Sequence, residues 1–224
     1  MNDDMQLNCR QIVAMKRDKE ATNYKFQSSL LRISIFSLLC LSTIMGAIVG
    51  ANISANAAEP RLRPDSWAKP MISERLQNWY QVDKDVYRSE QPDDEAMAEI
   101  ESFGIKSILN LREFHDDREE IKNTHLISLH VPVRTDKIRD AQVIEALRLI
   151  SRAEKPVLVH CWHGADRTGT VIAMYRIVEQ GWTKQAAIDE LVNGGYNYHS
   201  IFGNIVPYLL HVDIQSIKAQ LGRK

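Results

Sequence analysis

Val157-Leu158-Val159-His160-Cys161-Trp162-His163-Gly164-Ala165-Asp166-Arg167-Thr168-Gly169-Thr170 is the stretch whose reading decides the fold. Behind Pro156, a short apolar run ending at His160 predicts a buried strand. Beyond Gly169, the run Thr170-Val171-Ile172-Ala173-Met174-Tyr175-Arg176-Ile177-Val178 predicts a helix. A tight loop must join the two. The first N–H groups of a helix have no partner inside it, so a loop curled over that end can aim successive amides at one anion.

Each side chain of the loop has a chemical reason to be there. Cys161 opens it, and a thiol at a helix N-terminus facing an arginine ionises more readily than a free one, which makes it a candidate nucleophile. Arg167 can bind two phosphoryl oxygens at once with its planar fork. Gly164 lets the backbone approach closely, and Thr168 can hydrogen-bond the sulfur and improve it as a leaving group. The candidate anion site is the set of amides from Trp162 through His163, Gly164, Ala165 and Asp166 to Arg167. A lone cysteine at a strand end is more often inert core, but here Cys, Gly, Arg and Thr coincide with a strand before and a helix after. His160 and His163 flank Cys161, yet no further residues complete a four-ligand set, so no metal and no cofactor is expected. His160 reads as a support for the loop and His163 as a side chain on the pocket rim.

At these positions the chain resembles the cysteine-dependent protein tyrosine phosphatases, whose signature is His-Cys, five residues, Arg and then Ser or Thr. Between about Leu126 and Gly195 it is similar to their exported bacterial, dual-specificity, TpbA-like group. The similarity rests on Thr135-Asp136-Lys137, Asp140-Ala141, Pro156 to Cys161, Met174 to Val178, Gln180-Gly181-Trp182 and Lys184 to Ala187. Trp162, Ala165 and Asp166 inside the loop depart from the group's pattern. The resemblance implies a phosphomonoesterase acting on phosphotyrosine, with phosphoserine and phosphothreonine as further substrates, through a phosphocysteine.

Phosphoryl transfer to sulfur needs a proton for the departing oxygen, and a carboxylic acid on a neighbouring loop can supply it. The loop after Val133 offers Asp136 and Asp140, with Asp116 and Asp117 further off. Asp140 is accounted for as the N-cap of a helix from Ala141 to Ser151, whereas Asp136 has no such duty. The resemblance also implies Asp136 as general acid. Arg112 either orders the site or pairs with carboxylates, the second being the reading preferred from sequence. The same loop could serve inositol phosphates or phosphoinositides, but such substrates call for extra lysines and Trp162, Ala165 and Asp166 supply none. A sulfurtransferase would use a shorter loop, and a phosphate-binding module without activity would lack the nucleophile or the acid.

With 224 residues, 25% of them charged, and a net charge of -1, the chain has room for one catalytic domain plus extras and no basic excess for nucleic acid. Residues 1–57 divide into a polar, mildly basic region and an uncharged run from Ile33 to Ile53, long enough to span a bilayer. Ala55-Asn56-Ala57 offers a small-x-small cleavage sequence, so the segment reads as a cleaved signal peptide or, second, as an anchor through residues 33–53. Either way the domain is expected in the periplasm, as a monomer, with a phosphorylated protein of the cell envelope as its partner. Cys9 and Cys40 lie in this leader, which leaves Cys161 without a neighbour to pair with.

Residues 58–82 lack periodicity and read as a linker or strap held down by Trp67, Trp79 and Tyr80. The domain proper, 83–224, alternates strands and helices. Strands are predicted at Val86-Tyr87-Arg88-Ser89, from Ile105 to Arg112, from His125 to Val133 and at the run before Cys161. Helices are predicted from Gln91-Pro92-Asp93-Asp94 to Phe103, over Thr183 to Asn193 and from Ile205 to Leu221, while Glu113 to Asn123 is a helix or a solvated loop. Asn193 and Asn197 read as turn residues rather than holders of water. The fold class is therefore α/β, a central, mostly parallel sheet flanked by helices on both faces, with ligands bound at the carboxyl ends of its strands.

Overall fold

A computed structural model describes residues 62–223. The basic region, the uncharged run 33–53 and the cleavage sequence lie outside the described residues, and no helix among those described is long and apolar enough to cross a membrane.

Six strands form one sheet in the order β1-β2-β3-β6-β4-β5. The four that build the middle and one edge are β3 (Val86–Ser89), β4 (Ser107–Asn110), β5 (Ile127–His130) and β6 (Val157–His160), all mutually parallel. Two very short strands, β1 (Lys69–Pro70) and β2 (Tyr80–Gln81), continue the sheet antiparallel beyond β3. The strap is thus part of the sheet, which sequence could not show because two-residue strands carry no periodicity. Trp67 and Trp79 are buried and Tyr80 packs edge-on to Tyr196, as the anchoring role requires.

The helices are α1 (Asp94–Phe103), α2 (Asp140–Arg152), α3 (Asp166–Val178), α4 (Lys184–Asn193), α5 (Ile205–His211) and α6 (Ile214–Leu221). Successive strand residues point to opposite faces, and the core divides accordingly. Tyr87, Ile108 and Leu158 pack with Met97 and Ile100 of α1 on one face. Val86, Leu109, Val157 and Val159 pack on the other with Ala146 and Ile150 of α2 and Val171 and Ile172 of α3. A second apolar layer joins α2 and α3 to α4, α5 and α6. Strands covered on both faces must be apolar throughout, which is why β6 reads as a continuous run.

Several boundaries differ from the sequence reading. α3 begins at Asp166, four residues before Thr170, so Arg167 and Thr168 belong to its first turn. Residue 139, not Asp140, occupies the N-cap of α2: Arg139 donates its N–H to Gln142 Oε1 at 3.2 Å, and Asp140 is the first helical residue, accepting from the Tyr208 hydroxyl at 2.9 Å. The chain from Glu113 to Asn123 forms turns rather than a helix. The last predicted helix is two, since Asp213 breaks it and caps α6 by accepting from Gln215 N and Ser216 N. Thr183, where the sequence starts this helix, is the N-cap of α4, accepting from Ala186 N at 3.1 Å.

Candidate active site

The register levels Ser89, Asn110 and His160 at one end of the sheet. The residue after His160 is Cys161, which is 2% exposed, and the loop Trp162 to Ala165 connects it to α3.

The loop's carbonyls are tied down from behind. Gln91 N donates to Trp162 O at 3.0 Å, Asn78 Nδ2 to His163 O at 2.8 Å, and Arg88 Nη2 to Gly164 O at 2.5 Å. Further on, Gly169 N takes Ala165 O and the Thr170 hydroxyl takes Asp166 O. The amides from Trp162 to Arg167 find no acceptor among the described residues. With carbonyls held on one side, those N–H groups are left to face the other, which is the arrangement that holds an oxyanion. Gly164 makes the loop possible: its φ is +67°, and a Cβ there would stand 2.4 Å from Ser89 O. The Thr168 hydroxyl, in the first turn of α3, is buried without a partner.

Beside the loop lies an open cavity of about 230 Å³ lined by Arg112, Glu113, Phe114, Trp162 and Arg167. Arg167 makes no ion pair among the described residues, so its fork is unoccupied by protein carboxylates. The Arg112 guanidinium lies 4.2 Å from the centre of the Trp162 ring and donates to Gln91 Oε1 at 3.2 Å. Among the described residues it pairs with no carboxylate, contrary to the preferred sequence reading. Burial, then the nearby Arg167 charge, holds the Arg112 guanidinium below its ordinary range. Phe114 is 92% exposed at the mouth.

Below the loop, His160 Nε2 meets Asp117 Oδ2 at 2.9 Å, and His160 Nδ1 lies 3.2 Å from Cys161 O. Asp117 also accepts from Gln91 Nε2 and Asn110 Nδ2, both at 2.9 Å. Burial, the largest influence, pushes this carboxyl up, but His160, Gln91 and His115 together outweigh it, so the group stays below the usual carboxylate range. Enclosure sets Asp117 apart from the other candidate acids: it is fully buried and both of its oxygens are engaged by protein groups. Asp116 is held by Arg118 and drawn down to about 2. His115, Asp117 and Glu120 each place a ligand atom within 4.8 Å of the others, but Asp117 Oδ1 is already committed to Gln91 and Asn110.

Asp136 sits in the turn after β5, a turn pinned by Asn204 Nδ2 donating to Thr135 O at 2.9 Å. Its carboxylate is gripped by Arg134, with Nε at 3.1 Å and Nη2 at 2.7 Å, and this fork holds it below its ordinary range. Asp136 therefore does have a structural partner, which its sequence gave no sign of. The Asp166 side chain turns away from the cradle: it accepts from His199 N at 3.0 Å and lies 2.8 Å from His199 Nδ1. His163 is exposed, its ring 5.2 Å from that of His199. Burial, then His199 and Arg167, hold this imidazole below its usual range. Asn197 has a positive φ in the turn after α4, Asn193 bonds Asp189, and neither lines the cavity beside the loop.

Three contributors escaped the sequence reading: Asn78, Arg88 and His199 act on the loop from 85, 76 and 33 residues away. Only Arg88 left a signal, as a charge inside a short apolar strand.

Residues 82–181 match the family model described as "Polymorphic toxin system, DSP-PTPase phosphatase". The chain is 32% identical over 190 residues to the dual specificity protein phosphatase TpbA of Pseudomonas aeruginosa, covering 82% of this chain and 84% of that one. A solved structure of a Cys-to-Ser variant of TpbA in complex with phosphotyrosine superposes with a TM-score of 0.66 at 31% identity, over 72% of this chain and 99% of that one. An inositol diphosphatase of Oryza sativa subsp. japonica is 30% identical over 126 residues, half of this chain and 54% of that one.

Proposed function

The chain belongs to the cysteine-dependent dual-specificity protein phosphatases related to TpbA, and we propose that it hydrolyses phosphotyrosine in proteins by way of a phosphate carried on Cys161. The observation that carries the assignment of residues is the loop itself: six consecutive amides that find no acceptor among the described residues, a buried sulfur at their start and, at their end, an arginine with no carboxylate partner among those residues. In the first step the Cys161 sulfur attacks phosphorus and the leaving oxygen departs with a proton. In the second, water attacks the phosphocysteine and the sulfur is released. The amides of Trp162 to Arg167 and the Arg167 fork neutralise the three equatorial oxygens in both steps. Thr168, with its buried and unpartnered hydroxyl, is the group we assign to the sulfur as it leaves.

Asp136 is our choice for the acid, and as carboxylate it would then activate the water. Its grip by Arg134 favours the charged form, which suits the second step; the first requires the carboxyl to leave the fork and take up a proton. His160, Asp117, Asn110 and Gln91 hold the strand end and touch no substrate.

For substrate choice, the cavity mouth offers the aromatic faces of Phe114 and Trp162, and its cations are Arg112 and Arg167 with no lysine. An aromatic phosphoester fits such walls better than a polyphosphorylated ring, which would need several separate cations. Steady-state rates on phosphotyrosyl, phosphoseryl and phosphothreonyl peptides, inositol hexakisphosphate and an inositol pyrophosphate test this. Highest kcat/KM on a phosphotyrosyl peptide supports the reading; highest on the inositol pyrophosphate overturns it.

We also propose, from residues 33–57 alone, that the domain is exported to the periplasm, by signal cleavage after Ala57 or by anchoring. Sequencing the N-terminus of protein recovered from an envelope fraction decides between the two.

A further inference from the structure

Arg88, next to last in its strand, is 1% exposed. Its Nη2 donates to Gly164 O at 2.5 Å, its guanidinium carbon lies 3.7 Å from the centre of the Tyr196 ring, and its Nε is buried without a partner. No carboxylate among the described residues comes within ion-pair distance of it. Glu190 stands nearby but is fully engaged, accepting from Arg176 Nε and Nη2 at 2.9 Å each, Ala68 N at 2.7 Å and the Tyr196 hydroxyl at 3.0 Å. A guanidinium removed from water with no counter-ion is strongly unfavourable unless an anion elsewhere uses its field.

The carbonyl that Arg88 grips belongs to the loop that Cys161 opens, and the reaction proposed above puts a sulfur nucleophile and a phosphoryl anion on that loop. We propose that Arg88 is a positioning residue for the phosphatase reaction: it turns the Gly164 carbonyl away from the pocket and supplies, from behind, a second positive charge for the sulfur anion and the bound phosphoryl group. This rests on the reading of Cys161 as nucleophile. Arg167 serves the substrate from the open side, and Arg88 serves the loop from the closed side. Burial keeps the local dielectric low, so a charge that never touches substrate is still felt. Burial also works against the Arg88 cation, while Tyr196, Glu190 and the sulfur favour it.

Three variants of the full chain separate charge from shape. Arg88→Lys keeps the charge, Arg88→Gln keeps a donor without charge, and Arg88→Met keeps neither. The readout is the rate of Cys161 alkylation by iodoacetamide at about pH 6 and about pH 9, since an ordinary thiol, titrating at about 8.5, is mostly ionised at the higher value and scarcely at the lower, where a nearby charge has its largest effect. Arg167, Arg112 and His160, the other charged or titratable groups about the sulfur, are common to all three variants. Expected is a slowing on the order of tenfold at the lower pH for the glutamine and methionine variants, with rates near wild type at the higher pH and for the lysine variant at both. If the methionine variant does not fold, the glutamine and lysine pair decides alone. Equal rates in that pair at the lower pH, or equal slowing at both, overturns the proposal. Activity of Cys161→Ser on p-nitrophenyl phosphate is measured alongside: turnover there would mean that the nucleophile reading itself has failed, and Arg88 with it.

Discussion

His160 Nε2 and Asp117 Oδ2 lie 2.9 Å apart, and neither side chain has any exposure to solvent. The pair spans 43 residues and ties the strand end that precedes the nucleophile to the turn after Arg112. Removing one member of this buried hydrogen-bonded pair leaves the other's polar atoms unsatisfied, a cost of about 1 to 3 kcal/mol for a neutral group and more for a charged one.

Asp117→Asn is therefore expected to lower stability by roughly 2 to 4 kcal/mol in denaturant unfolding, since the amide keeps part of the hydrogen bonding. Its acid dependence follows from the sign of the shift. A carboxyl lowered in the folded state contributes stability above its unfolded value, near ~3.9, and loses it as pH falls through the lower folded value. The gap between wild type and Asp117→Asn should be full near neutrality and close in strongly acidic buffer. A gap independent of pH would contradict this account of Asp117.

Gly164→Ala places a methyl group against Ser89 O and Glu90 N at a backbone angle that only glycine adopts readily. The surrounding atoms are backbone and cannot give way cheaply. The loop amides should lose their common focus, with kcat/KM falling on the order of a hundredfold and inorganic phosphate binding weakened in parallel. Wild-type kinetics in this variant would mean that the loop geometry is not what holds the anion.

For the acid, Asp136→Asn should reduce kcat by roughly a hundredfold or more on a phosphotyrosyl peptide and less on p-nitrophenyl phosphate, whose phenolate leaves well unaided. Arg134→Ala removes the fork that holds the Asp136 carboxyl down. The protonated form then persists to higher pH, so the alkaline limb of the pH–rate profile for phosphoryl transfer to the enzyme should move upward. An unchanged limb, or full activity in Asp136→Asn, transfers the role of acid to another residue.

Arg176 and Glu190 form a buried ion pair, with two contacts of 2.9 Å, that fastens α3 to α4, and Glu190 also receives the strap through Ala68 N. Glu190→Ala should cost about 3 to 5 kcal/mol. Thermal melting checks this, and a loss under about 1 kcal/mol would show that the pair is dispensable.

Much of this molecule was legible in the order of its residues because the decisive features are local. A doubly covered strand shows as the unbroken run from Val157 to His160, and a phosphate cradle shows as spacing between Cys161, Gly164, Arg167 and Thr168. The supports were not legible, because they come from elsewhere in the chain. Nothing near Asn78 announces that it will bond His163 O and Tyr196 O together, and nothing near Asp136 distinguishes a free carboxylate from one held by Arg134 two residues earlier. Asp140 was misjudged for the same reason: a capping aspartate and a first-turn aspartate look alike in sequence, and only their partners in the folded chain separate them.

Rapid acid quenching of the enzyme during turnover of p-nitrophenyl phosphate, followed by peptide mass analysis, reports directly on the sulfur. The peptide containing Cys161 should carry one phosphate, the label should vanish in Cys161→Ser, and it should accumulate in Asp136→Asn, where its hydrolysis is slowed. Phosphate on a different side chain, or full turnover with Cys161 unmodified at every time, would contradict the account.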